Sequence, residues 1–284
     1  MSFEAVTGLG VAQPLASPPH PALGEARATT RRVARTFAIA CRLLPRAVRD
    51  DVYLLYLVFR TLDDLVDEGR AEAGARVEAV AAWAEGRPGE RTREVDVLGA
   101  LSVRHPLPRQ AVADFCAGMG QDLARETFAT EADVDGYCYR VAGTVGLVMT
   151  TVLGARDVPR ARPAAVALGV AMQRTNILRD IDEDAANGRV FLAQEAVARH
   201  GLPLPGRRAE LLREQIAYAD SLYERGLVGV GELLCGGRAI AAAGAMYREI
   251  LREIERDGYG ATHGRARVSR TRKLAVAAVA AWRA

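Results

Sequence analysis

The stretch from Gln173 to Arg189 reads Q-R-T-N-I-L-R-D-I-D-E-D-A-A-N-G-R. Asn176, Asp180 and Asp184 are spaced four apart in it. On a helix such residues share one face, with Cβ atoms about 5–6 Å apart. One face therefore carries an amide and two carboxylates in line, while Ile177, Leu178 and Ile181 point elsewhere. A row of like charges destabilises a helix unless something cationic binds there.

A second stretch answers it. Arg60-Thr-Leu-Asp63-Asp64-Leu-Val-Asp67 again sets two aspartates four apart, Asp63 and Asp67, with Arg60 one turn before them. The run leading in, Asp51 to Phe59, is almost wholly apolar, so its helix is expected to be buried. Buried carboxylates are costly unless paired or metal-bound. Two acidic ladders on two buried helices point to a shared cluster of hard cations. Mg²⁺ is commonly held by one or two carboxylates plus substrate phosphates. The expectation is a diphosphate held by several Mg²⁺ ions, with Mn²⁺ as the alternative metal. The plainer reading is two solvated helix faces.

The bulk numbers set the frame. The chain has 284 residues, 50% hydrophobic and 26% charged, with a net charge of +3. That is globular composition, and the charge balance gives no reason to expect nucleic acid. The four cysteines and four histidines show neither zinc spacing nor a disulfide framework. No secretory leader and no run of about 18 apolar residues is visible, so the cytoplasm is the default.

Residues 1–24, rich in proline and glycine, read as a disordered lead, and residues 25–284 as one all-α domain of eight to ten helices. No period-2 strand pattern of useful length appears. The first acidic helix runs from about Arg46 to Gly69. Residues 71–87 read as an exposed helix. Thr130 to Asp133 is a capping-box start, and one helix is expected from Asp133 to about Gly154. Pro159 and Pro163 precede the second acidic helix, which stops near Asn187-Gly188. Gly143 and Gly146 lie one turn apart, at a cost of roughly 1 kcal/mol each relative to alanine. Their spacing leaves room for a neighbouring helix or for a ligand chain. A basic segment from Arg265 to Lys273 leads into a short Ala-rich apolar helix.

R-x-x-D-x-x-x-D at 60–67, Y-C-Y-R-V-A-G-T-V-G at 137–146 and Q-x-x-N-I-L-R-D-x-x-E-D-x-x-x-G-R at 173–189 together resemble the squalene/phytoene synthase family. These are head-to-head prenyltransferases, and the likeness to their compact bacterial form covers about residues 30–275. The resemblance implies an all-α isoprenoid synthase bundle around a central prenyl cavity. It also implies condensation of two farnesyl or geranylgeranyl diphosphates through a cyclopropylcarbinyl diphosphate.

It further implies roles at matching positions. Asp63 and Asp67 form a first metal-binding pair, and Asp180 and Asp184 a second, with Asn176 assisting. Arg60, Arg179 and Arg189 brace the acidic motifs and the diphosphates. Phe37, Tyr56, Tyr137 and Tyr247 surround the reacting carbons, with Tyr137 or released diphosphate steering a proton. Plain core packing is the competing account of these aromatics. Val141, Ala142, Val145, Gly146, Met149, Met172 and Gln173 line a prenyl tunnel, and the two glycines then make room for the isoprenoid. Lys273 reaches a diphosphate or sits on a solvated face.

V-A-G-T-V-G resembles the carotenoid branch and R-T-L-D-D-L the squalene branch. The product is therefore open between phytoene, dehydrosqualene and squalene, with NADPH needed only for squalene. Two other functions stay in view. One is a class I terpene cyclase using a single prenyl diphosphate. The other is a non-catalytic assembly factor, although intact acidic ladders disfavour it. Peripheral membrane contact for product release is a further expectation, and oligomeric state is open.

Overall fold

Apolar runs punctuated by proline and glycine give helices joined by short turns. The computed structural model describes residues 20–33 and 35–284. Along the chain run α1 (Leu23–Val33), α2 (Arg35–Cys41), α3 (Arg46–Asp67), α4 (Ala73–Glu85), α5 (Arg93–Arg104), α6 (Arg109–Leu123) and α7 (Glu131–Cys138). A π-helical turn, Tyr139–Gly143, joins α7 to α8 (Thr144–Leu153). Then come α9 (Val158–Ala186), α10 (Gln194–His200), α11 (Ala209–Val228), a 3₁₀ turn at Gly229–Glu232, α12 (Gly237–Arg256) and α13 (Arg270–Arg283). Among the described residues there is no strand, only an isolated Ala155–Leu233 bridge.

Two long helices organise the molecule. Pro45 precedes α3, and Gly69 at φ 61° follows it. Its Leu54, Leu55 and Leu62 are fully buried, packed with residues of α5, α6 and α8. The Asp157 side chain caps α9 by accepting from the Arg160 amide, and Gly188 at φ 69° follows its end. The back of α9 buries Ile177, Leu178 and Ile181 against Leu211, Leu212, Ile216 and Tyr223 of α11.

Polar residues of the same stretch hold that back face. Arg174 is buried and bonds Glu131, Asp135 and Gln215. The Thr175 and Tyr223 hydroxyls are 2.9 Å apart. Asp182 takes a two-pronged ion pair from buried Arg208.

Several expectations are corrected. Leu23 and Gly24, assigned to the lead, belong to α1 and Leu23 is buried; residues 1–19 of that expectation lie outside the described ones. Helix α4 is only half exposed: Val77, Val80 and Ala84 join the core. Pro159, in the first turn, and Pro163 both lie inside α9 rather than before it. The segment after Asp133 is broken by the π turn, so the described helices number thirteen. The capping box at Thr130 and Asp133 is present as expected.

Gly143 and Gly146 do not face open space. A Cβ on Gly146 would stand 2.6 Å from the Ala165 carbonyl oxygen, and one on Gly169 would stand 2.5 Å from that of Ala142. The glycines let α8 and α9 touch backbone to backbone. They make room for a helix, although Gly146 also borders the cavity described next.

Candidate active site

Helices α3, α8, α9 and α12 surround a cavity of about 340 Å³. Packed interiors leave few voids larger than a water molecule, so this space is the candidate binding site. Its upper end holds Arg60 and Asp63 from α3, Gln173 and Asn176 from α9, and Tyr247 from α12. Phe37 and Tyr56, with ring centroids 5.0 Å apart, close one side. Tyr137, Val141, Ala142, Val145, Gly146 and Met149 descend one wall, and Met172 faces them from α9. The π turn reorients this wall, so that both Val141 and Ala142 reach the cavity. The far end is apolar: Leu153, Ala161, Gly229, Val230 and Leu233.

Of the four ladder aspartates Asp63 lines the cavity, while Asp67, Asp180 and Asp184 lie outside its lining, and the two ladders feel each other's charge. Burial, reinforced by the Asp67 charge, pushes the Asp63 carboxyl up to about 7. Burial and then Asp180 push Asp184 to about 7 as well, and the Asp67 charge on α3 adds to that rise across the cleft. Asp67 is also raised, chiefly by burial. Asp63 is still 39% exposed, because its open side faces the cavity. Concentrated negative charge of this kind favours a cation.

The Asn176 side-chain oxygen is buried with no hydrogen-bond partner, while its amide nitrogen donates to Gln173. An orphaned hard oxygen beside raised carboxylates fits Mg²⁺. Among the described residues, no three His, Cys, Asp or Glu side chains form a ready-made ion cage.

Arginines hold the ladders meanwhile. Arg60 pairs with Asp63 at 3.0 Å and also with Asp64. Arg179 and Arg265 both pair with Asp180, at 2.5 and 2.8 Å. Lys273 lies near Arg179 and Arg265, and burial followed by their charges lowers its pKa. Arg189 reaches neither ladder by hydrogen bond. It pairs with Asp122 at 2.5 Å and lies over the Phe191 ring.

Asp122, on α6, is the residue that sequence reasoning left without a role. It is buried, accepts the Tyr137 hydroxyl at 3.1 Å, and adds its charge to the rise at Asp63. Burial and then the Asp122 charge push the Tyr137 phenol well above its ordinary value, so it keeps its proton. The available signal was a single carboxylate ending an apolar helix, F-C-A-G-M-G-Q-D.

A family model described as squalene/phytoene synthase matches residues 30–272. This chain belongs to the squalene/phytoene synthase family. Within that family it is similar to the 15-cis-phytoene synthase of Synechococcus elongatus, at 35% identity over 92% of each chain. The phytoene synthase of Thermus thermophilus is 36% identical, with 79% of this chain and 80% of that one covered. A crystal structure of a dehydrosqualene synthase with ligand superposes with a TM-score of 0.82 at 26% identity, covering 91% of this chain and 94% of that chain. The all-α squalene/phytoene synthase fold is thus shared over nearly the whole described chain.

Proposed function

We propose that this prenyltransferase condenses two C20 prenyl diphosphates head to head and stops at a phytoene-type product. Head-to-head coupling is the chemistry of the family to which the chain belongs. The finer reading rests on the length of the cavity. Its lining on α9 runs from Asn176 down to Ala161. Fifteen helical steps of about 1.5 Å make that roughly 22 Å. An isoprene unit advances four carbon–carbon bonds, so with bond lengths of about 1.5 Å an extended unit spans roughly 5 Å. Four units match the tunnel, whereas three leave its far end empty.

The residues divide the work. Asp63, Asp67, Asn176, Asp180 and Asp184 would hold Mg²⁺. When bound, the metal neutralises the leaving diphosphate as the allylic C–O bond breaks. Arg60, Arg179 and Arg265 pair with the ladder carboxylates, and their forked donors suit phosphate oxygens. Phe37, Tyr56 and Tyr247 place ring faces near the upper end, where developing positive charge is stabilised by their quadrupoles. The apolar walls exclude water from that charge. Tyr137 keeps its proton and donates it to Asp122, so it orients and does not act as a base.

Product analysis by mass tests this reading. The enzyme is incubated with farnesyl or geranylgeranyl diphosphate, with Mg²⁺, and with or without NADPH. A C40 hydrocarbon from geranylgeranyl diphosphate, formed without NADPH, is expected. A C15 or C20 product would instead identify a single-substrate cyclase.

A further inference from the structure

We infer that the outward face of α13, with the groove beneath it, docks on an anionic lipid bilayer and forms the exit for the apolar product. The exit half of this inference rests on the function proposed above; the docking half does not.

Helix α13 is apolar on two sides. Ala277 is buried inside, in a cluster with Ala242, Ala243 and Met246 of α12. On the other side Leu274, Val279 and Trp282 are 46%, 50% and 84% exposed. With exposed Ala275 and Ala278 they lie on one arc of about 140° on a helix of 3.6 residues per turn, interrupted only at the first turn by exposed Thr271. Exposed Val228 and Leu234 bracket the nearby 3₁₀ turn and extend the apolar surface.

Charge selects the occupant. From Gly258 to Ala284 the chain has six basic residues and no acidic one. Arg265 and Arg272 are engaged with Asp180 and Glu249. Exposed Arg270 and Arg283 border the apolar arc on opposite sides. An apolar strip holding a tryptophan, rimmed by arginines, is the pattern of a helix lying in a bilayer interface. A symmetric pairing of two copies would instead set arginine rims against each other. No helix among the described residues is long and apolar enough to cross a membrane, so contact would be at the surface.

The position of this face gives it a purpose. A second cavity lies between α12 and α13, lined mainly by apolar residues such as Leu227, Val230, Ala241 and Val276, with Arg272 and Arg283 also on its wall. Val230 is common to the walls of the tunnel's tail end and of this groove, which opens under the exposed face. A hydrocarbon that has lost both diphosphates gains nothing by leaving through the charged upper end. Passing Val230, it moves from one apolar environment to another without crossing water.

The test uses the full chain with vesicles of phosphatidylcholine, alone or mixed with phosphatidylglycerol. Co-sedimentation with the anionic vesicles, weakened by salt, is expected. In a Trp83→Phe background the remaining Trp282 emission should shift to the blue on binding. Trp282→Glu combined with Leu274→Glu should weaken vesicle binding at least tenfold while turnover in detergent is unchanged. Absence of vesicle binding by the parent chain overturns the inference, as does equal binding by the double variant. So does a dimer in light scattering that the double variant dissolves. Normal coupling without vesicle binding leaves the proposed function standing and removes the docking. Vesicle binding without a coupled product does the reverse.

Discussion

Asn176 shows what a single side chain reports. Its buried oxygen lacks a partner although its nitrogen has one. Asp63 shares the cavity with it, and Asp63 and Asp184, on the two facing ladders, carry carboxyls raised to about 7. Removing that repulsion should matter more to metal binding than to folding. Mg²⁺ with inorganic diphosphate is expected to raise the melting temperature of the parent enzyme, equivalent to about 2.7 kcal/mol at a hundredfold excess over Kd. Asp63→Asn should fold normally, lose that rise, and turn over at least ~10²-fold more slowly, as several kcal/mol of charge stabilisation are lost. Calorimetry with and without the ions, alongside a diphosphate-release assay, checks both outcomes.

A different role falls to Asp182, in the same acidic stretch. Arg208 holds its carboxyl below the usual range, through hydrogen bonds that also immobilise the loop before α11. A lowered folded-state pKa means the unfolded chain binds more protons in that window. The stability from Asp182 is therefore complete above the unfolded value near ~3.9 and is lost as pH falls through the folded value. Asp182→Ala leaves Arg208 buried and uncompensated, at an expected cost of about 3–5 kcal/mol at pH 7. Denaturant melts from neutral to acid pH should show the difference between variant and parent shrinking below pH ~4.

At the scale of elements, α8 and α9 are held by glycine. With the Ala165 carbonyl oxygen 2.6 Å from the site of an added Cβ, Gly146→Ala must push the helices apart. Such overpacking typically costs about 1–3 kcal/mol. A fall in melting temperature, with KM for the prenyl substrate rising as the wall shifts, is the expected result. Gly69→Ala should behave differently, because nothing lies near its Cβ position and only the positive φ of 61° is strained. The π turn belongs to this scale too. One extra residue per turn changes which side chains face inward, and local sequence carries no marker for it.

Taken as a whole molecule, the enzyme is a charged mouth above an apolar tunnel. The far end is set by small residues, Ala161 foremost. Ala161→Phe should fill roughly one isoprene length and favour farnesyl over geranylgeranyl diphosphate, so that the product mass shifts from C40 towards C30. Unchanged selectivity in a folded variant would place the chain-length limit elsewhere.

Much of this was legible beforehand. The four-residue spacing of Asn176, Asp180 and Asp184, and of Asp63 and Asp67, is a property of the chain, because helical periodicity converts spacing into a shared face. The all-α class followed for the same reason, as did the tunnel wall from Val141 to Met149 once the family pattern had been seen. Contacts between distant segments were not legible, because side-chain pairing depends on how helices cross and not on their order. Only the tertiary structure separated Asp182 from Asp180, tied Tyr137 and Arg189 to Asp122, and brought Arg265 to the second ladder. It alone showed the glycines serving a helix crossing, and placed Val230 on the walls of both the tunnel and the surface groove. Periodicity is written residue by residue, whereas burial and pairing exist only between elements that have already packed.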